Sequence, residues 1–291
     1  MNRFSIKDIE TLTGIKAHTL RIWEQRFDMV EPKRTDTNIR YYDNEDLKYL
    51  LNVSLLSKMG YKISKISELN DKQIYDIIDD YSSSKSDCQD KLNNLLRCTL
   101  ELDETAFEKI ISTEILENGI IRTMIGLIFP FLSHMGNLWA AGSINPSYEH
   151  FIINLIKTKL LVAIDGLGYS VSPKAKKKVL LFLPEGENHE IGLLFANYVF
   201  KHFKHQTLYL GQNLPCSELE PVIKNYKPEI IFTSMVSGHT KEKMLGMINI
   251  ITTLSAKSDV LVSGSCFLNA DLKYPKRVYP ITSYESMKRH L

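Results

Sequence analysis

The chain has 291 residues, more than one ordinary core holds and enough for two or three domains. Hydrophobic residues make up 44% and charged residues 24%, the balance of an average globular protein, which excludes bulk disorder, collagen-like repeats and a disulfide scaffold. The formal charge is only +2, from 36 Lys and Arg against 34 Asp and Glu, so nucleic-acid binding requires a local basic patch rather than a basic molecule.

Residues 1–14 are polar and amphipathic, without the apolar core or small-residue cleavage site of a signal peptide, so secretion by that route is not expected. The longest apolar stretches, 120–132 and 179–183, fall short of the roughly 18 to 20 residues a bilayer span needs, and the first contains Arg122. The expectation is a cytoplasmic protein without a membrane span. Four cysteines, Cys88, Cys98, Cys216 and Cys266, form no Cys-x-x-Cys pair, which fits reduced thiols and argues against a zinc ribbon.

In chain order, Ser5 is placed to cap a helix through Ile6, Ile9 and Leu12, and Gly14 to end it. A second helix from about Ala17 carries Leu20, Trp23 and Phe27 inward, a helix-turn-helix pattern whose second helix enters the major groove. Lys16, His18, Thr19 and Arg21 are then the candidate readers of base edges. Beyond them Lys33-Arg34-Thr35 and Ile39-Arg40-Tyr41-Tyr42 flank a polar turn, as in a two-stranded wing, with Arg34, Arg40 and Tyr41 on phosphates. A Ser-rich stretch, 81–87, suits a hinge, and residues 71–169 keep apolar residues three and four apart, the helical period.

After Pro173-Lys174-Ala175-Lys176-Lys177-Lys178 the style changes. Short β-branched runs at 178–183, 207–210, 230–235, 260–264 and 277–281 alternate with helical runs centred near Ala196, Val222, Met247 and Met287. That alternation implies a parallel sheet covered on both faces, a doubly wound α/β domain. The expected organisation is a winged helix-turn-helix over 1–75, a helical bundle over 76–172 and a Rossmann-like α/β domain over 173–291. His189 falls in the first βα loop, at the carboxyl end of the first strand, where α/β sheets bind ligands.

Several motifs carry resemblances. Phe4-Ser5-Ile6-Lys7-Asp8-Ile9, Leu12-Thr13-Gly14-Ile15, Thr19-Leu20-Arg21-x-Trp23-Glu24-x-Arg26, Pro32-x-Arg34-Thr35, Arg40-x-Tyr42, Asp46-Leu47 and Met59-Gly60-Tyr61 resemble the MerR family of transcription regulators. That resemblance implies a module that binds double-stranded operator DNA as a pair of copies. Metal-sensing members follow the module with one long dimerising helix and a cysteine-bearing loop; this chain has neither, so pairing and signal fall to the remaining two-thirds.

Glu187-x-His189-x-x-Gly192 resembles the Asp/Glu-x-His-x-x-Gly motif of cobalamin-binding domains. The resemblance implies that His189 ligates cobalt from below, Glu187 holds the far ring nitrogen and Gly192 admits the corrin. It also implies that Ser234, in Ser234-Met235-Val236, bonds the displaced tail and that Gly264 leaves room for it. Ser265 stands where the family has a second glycine, which narrows that slot.

Trp139, followed after nine residues by Glu149-His150, resembles the signature of the helical cap in adenosylcobalamin-dependent photoreceptor repressors of the CarH and LitR kind. The implied roles are an indole over the upper cobalt face and hydrogen bonds from Glu149 and His150 to the adenosyl group. Light-sensing relatives have a histidine after that tryptophan, where this chain has Ala140.

The combined reading is a repressor, not an enzyme, whose adenosylcobalamin-dependent oligomerisation controls operator binding; release by light is a separate reading, which Ala140 in place of the histidine leaves open. Two readings stay open beside it: a cofactor-free regulator controlled by a protein partner, and a corrinoid enzyme module on the same fold.

Overall fold

The computed structural model describes residues 3–35, 37–70, 72–74, 77, 88–140, 144–168, 176–236, 240–269 and 272–291. The stretch expected as a hinge, 81–87, and the 173–175 part of the expected linker lie outside the described residues. The chain divides into two compact units, Met1–Leu155 and Ile156–Leu291.

The first unit opens with α1 (Ile6–Thr13), started by a reciprocal capping box between Ser5 and Asp8 and closed by Gly14 at φ 75°. Next come α2 (Ala17–Phe27), an antiparallel ribbon of β1 (Lys33–Arg34) and β2 (Arg40–Tyr41), α3 (Asn44–Lys58) and α4 (Ile63–Ile66). Phe4 and Tyr42 exchange backbone hydrogen bonds of 2.8 and 2.9 Å, and both side chains are fully buried with Ile9, Leu20, Leu47 and Leu50. This small core fixes α2 and the ribbon against α3.

The helices of the same unit are α5 (Cys88–Glu101), α6 (Glu104–Thr123), a π turn over Met124–Ile128, α7 (Phe129–Ala140) and the start of α8 (Pro146–Gly166). By length and mean hydropathy the run Glu104–Trp139 satisfies the requirement for crossing a bilayer, which the reading of shorter apolar stretches did not anticipate. Gly119, at φ 74° and ψ 160°, breaks that run, and Phe107, Ile111, Met124, Leu127, Phe131 and Met135 are buried, as in core helices of a bundle.

The helix-turn-helix portion is docked on these helices. Lys58 of α3 pairs with the buried Asp90 of α5 at 2.9 Å, and Lys48 pairs with Glu101 at 3.2 Å. Asn44 donates to the Tyr148 hydroxyl at 3.2 Å. A cavity of about 260 Å³ between α1 and α7 is lined by Lys7, Asp8, Thr11, Leu12, His134, Asn137 and Leu138.

In the second unit β3 (Lys178–Pro184), β4 (Gln206–Leu214), β5 (Ile230–Ser234), β6 (Asp259–Ser263) and β7 (Val278–Pro280) form one parallel sheet in the order β4-β3-β5-β6-β7. The connecting helices are α9 (Ile191–His202), α10 (Leu219–Tyr226), α11 (Lys241–Leu254) and α12 (Ser265–Asn269), with α13 (Tyr284–Lys288) last. The doubly wound fold read from the alternation is present. β3 is buried from Val179 to Pro184, the continuous apolar pattern of a strand covered on both faces. Phe182, Ile231, Met235, Met247, Ile251, Val260 and Phe267 build one core cluster.

Several details differ from the sequence reading, among them β5 ending at Ser234 and β7 spanning only Val278–Pro280. β4 runs on to Leu214 because register shifts opposite Phe182 and Pro184, with Gly211 at φ 82° and Asn213 at φ 59°, let the edge strand bulge and continue. β6 stops at Ser263, one residue before the expected end, because Gly264 turns away at φ 98°. A short helix, α12, follows at once and was not legible beforehand.

His205, just before β4, is buried with neither ring nitrogen hydrogen-bonded, edge-on to Phe200 at 5.5 Å. Burial lowers its pKa from 6.5 to about 4, with Lys176 and Lys177 adding to the shift. The unfolded chain therefore binds this proton below pH 6.5 while the folded chain resists it until about pH 4. The stabilisation is complete above pH 6.5 and disappears as pH falls through 4, in total roughly 3 kcal/mol from the shift. Denaturant unfolding of wild type and His205→Phe at pH 7.5, 5.5 and 4.5 measures it. The wild type should lose stability faster on acidification, and parallel pH profiles would refute the assignment.

Candidate functional site

Two constellations stand out, one in each unit. On the first, α2 begins at Lys16, and its amino end is stabilised by Glu10 of α1. One carboxylate oxygen accepts from the Ala17 N–H at 3.1 Å and the other from Lys16 Nζ at 3.0 Å. The Lys16 hydrogen bond, with that of Ala17, holds the Glu10 carboxyl below its ordinary pKa. Lys16, His18 and Arg21 are exposed along α2, and Thr19 is half-buried. An exposed pair such as Lys16–Glu10 is worth little, so exchange of the lysine onto a phosphate is inexpensive.

In the ribbon, Arg34 is exposed and donates to the Asn38 side chain at 2.9 Å, which steadies the turn. Arg40 is less available than the sequence suggests. It is half-buried and reaches Glu24 of α2 at 3.4 Å, while the Tyr42 hydroxyl donates a short hydrogen bond to the same carboxylate. Tyr41 is half-buried under the Arg3 guanidinium, 5.0 Å from the ring centroid. Glu24 thus ties the recognition helix to the wing and fixes the angle between them. Its role was hidden because an acidic residue on a helix expected to meet DNA reads as a liability until its two partners are seen.

The second constellation lies where the strand order reverses. β3 and β5 are neighbours, but the chain leaves β3 toward β4 on one side and returns to β5 on the other, so their following loops diverge around a crevice. Glu187 and His189 sit in the first of these loops. Glu187 is fully buried. Its Oε1 accepts from the His189 N–H at 2.9 Å and meets His189 Nδ1 at 2.5 Å; its Oε2 accepts from the Val236 N–H at 2.6 Å. The loop is braced from the edge strand: Gly186 N–H donates to Asn213 Oδ1 at 2.9 Å, and Asn213 N–H to the Glu187 carbonyl at 3.3 Å. The His189 side chain remains 50% exposed.

This arrangement has the chemistry of a metal-ligating histidine with a carboxylate behind it. With Nδ1–H directed at Glu187, the ring's lone pair resides on Nε2, and the imidazole is held in one orientation. Among the described residues no cluster of three or more His, Cys, Asp or Glu side chains is set to hold a metal ion. An oriented imidazole backed by a carboxylate fits the corrin that the motif resemblance implies.

Gly192, in the first turn of α9, and Ser234, at the end of β5, face each other: a Cβ on Gly192 would lie 3.9 Å from Ser234 Oγ. Gly264 has a different reason for being glycine. A Cβ there would fall 2.2 Å from the Met235 carbonyl oxygen, so the close approach is to the protein's own backbone. Ser265 turns its hydroxyl onto the Val236 carbonyl at 3.2 Å.

In the first unit, Trp139 is 52% exposed near the end of α7, so it is not core of that unit. Glu149 and His150 occupy the first turn of α8, Glu149 half-buried and His150 exposed. The Ala140 side chain lies outside the described residues. Sequence reasoning also missed Ile22, 51% exposed on α2, and the pair of Glu190 with Lys157. Neither has a motif; only exposure or proximity across 33 residues reveals them.

Replacing Glu187 with Gln keeps the volume but forces an N–H against one of the donors it now accepts. The expected loss is about 1 to 3 kcal/mol, with faster hydrogen exchange at the His189 and Val236 amides than in wild type. Unaltered protection at both amides would show that the carboxylate does not organise the loop.

Residues 4–73 match the family described as MerR HTH family regulatory protein. The chain is 22% identical over 238 residues to the HTH-type transcriptional repressor CarH of Myxococcus xanthus, covering 79% of this chain and 78% of that one. To the HTH-type transcriptional repressor CarA of the same organism it is 23% identical over 261 residues, covering 89% and 85%. Among solved structures, the monomethylamine corrinoid protein of Methanosarcina barkeri shares its fold, with a TM-score of 0.55 at 13% identity over 70% of this chain and 98% of that one. The chain therefore carries a MerR-type helix-turn-helix domain at its amino end and is homologous over most of its length to the CarH and CarA repressors.

Proposed function

We propose that this protein is a cytoplasmic, cobalamin-responsive repressor that binds double-stranded operator DNA and uses adenosylcobalamin to set its oligomeric state. The observation that carries the reading is the Glu187–His189 pair at the sheet's reversal point, a preoriented imidazole where this fold binds ligands. When bound, adenosylcobalamin supplies a cobalt–carbon bond that light breaks. His189 would ligate through Nε2, Gly192 and Ser234 would line the corrin side of the loop, and Trp139, Glu149 and His150 would recognise the adenosyl group. A ligand shifts assembly only by its differential affinity for the alternative arrangements, and adenosyl contacts that are present or lost supply such a difference.

On the DNA side, Lys16, His18, Thr19 and Arg21 would meet base edges and Arg34, Arg40 and Tyr41 the backbone. Docking of the helix-turn-helix on α5 and α8 through Lys58–Asp90 and Asn44–Tyr148 supports a mechanical link between the helices bearing Trp139 and Glu149 and the DNA-reading head. One observation favours the cofactor-free alternative: Gly264 is required by Met235, so its presence does not by itself argue for a ligand tail.

Adenosylcobalamin titrated in the dark should give a coloured protein of increased size, and His189→Ala should weaken binding roughly tenfold or more. A colourless protein of unchanged size selects the cofactor-free regulator. Illumination that alters neither size nor operator retention would remove light from the reading and leave metabolite sensing. On an operator selected from a random pool, binding should fall steeply with salt as phosphate counterions are released, and Arg34→Ala should reduce the salt slope by about one. A slope unchanged by that substitution would take Arg34 off the phosphates.

A further inference from the structure

The residue after the candidate ligand is itself unusual. Glu190 occupies the N-cap position of α9, and its side chain makes no hydrogen bond to the helix's first amides. Its carboxylate, only 12% exposed, points the other way. Oε2 forms a short ion pair with Lys157 Nζ of α8, and Oε1 accepts from the Tyr209 hydroxyl of β4 at 2.8 Å. Burial, with the Glu190 hydrogen bond, raises the Tyr209 pKa, which keeps that hydroxyl a donor. Gly211 brings the bulged strand alongside: a Cβ there would lie 3.9 Å from Glu190 Oε1.

The loop is thus held at two consecutive points. Glu187 grips the His189 ring and backbone from within, and Glu190 anchors the next residue to a strand and to a helix from another part of the chain.

We propose that Glu190 is a positioning residue for His189, and that its ion pair with Lys157 makes the placement of the imidazole depend on α8. The inference rests on the reading of His189 as the lower cobalt ligand. α8 begins with the turn that bears Glu149 and His150 and reaches Lys157 two turns later. A shift of α8 would reach the histidine loop through Lys157 and Glu190, and ligation by His189 would in turn restrain α8, as reciprocity between linked sites requires.

The test uses the full chain with Lys157→Met, Glu190→Gln, Tyr209→Phe and the Lys157→Met/Glu190→Gln double variant, read in two ways. In the protein without cofactor, hydrogen exchange should quicken at the His189 to Gly192 amides and over residues 156–162 in Lys157→Met, while the core strands β5 and β6 keep their protection. With cobalamin reduced to the paramagnetic cobalt(II) form, the nitrogen splitting from isotopically labelled histidine reports ligation directly. Lys157→Met and Glu190→Gln should each lower the histidine-ligated fraction several-fold, the double variant no further than the worse single one, and Tyr209→Phe by less.

Equal and additive losses in the double variant, or a histidine-ligated fraction untouched in all of them, would overturn the proposal. Global loss of protection in Lys157→Met would assign the pair to stability alone and also overturn it. If wild type shows no histidine splitting, or His189→Ala binds cobalamin as wild type does, the ligand reading fails instead. The exchange results on the cofactor-free protein then still decide whether the loop is coupled to α8.

Discussion

The second unit depends on one buried carboxylate. An ionised side chain removed from water is costly unless fully partnered, and Glu187 meets that demand with two backbone N–H groups and an imidazole nitrogen. Because one of those amides belongs to Val236, the carboxylate joins the loop after β3 to the loop after β5 across the point where the strand order reverses. The histidine is therefore placed by the fold itself. Asn213, from the bulged end of β4, braces the same loop from a third strand.

A similar device organises the DNA-reading head. Glu24 is nearly buried between the recognition helix and the wing, and accepts from Arg40 and Tyr42. In both units an acidic residue acts as a hub that collects donors from segments distant in sequence. Arg40 and Tyr42 are thereby engaged by Glu24, while Lys16, His18, Arg21 and Arg34 are exposed.

The head is not an independent bead. Lys58–Asp90, Lys48–Glu101 and Asn44–Tyr148 connect α3 to α5 and α8, and α1 faces α7 across a cavity. Asp90 is buried, so its pair with Lys58 is costly to break, whereas more exposed pairs exchange partners at smaller cost.

The sequence by itself determined what is local or periodic. The Ser5 and Gly14 boundaries of α1, the alternation that yields a parallel sheet, and the position of His189 at a strand's carboxyl end all follow from short-range stereochemistry and hydrophobic spacing. The tertiary structure decided what depends on approach between distant segments. Gly264 is glycine because the Met235 carbonyl lies against it, Arg40 is claimed by Glu24 from sixteen residues away, and Glu190 is held by Lys157 and Tyr209. No residue type or spacing announces such pairs, because a carboxylate's partners are chosen by three-dimensional proximity and by the loss of water around it, and neither exists until the chain has folded.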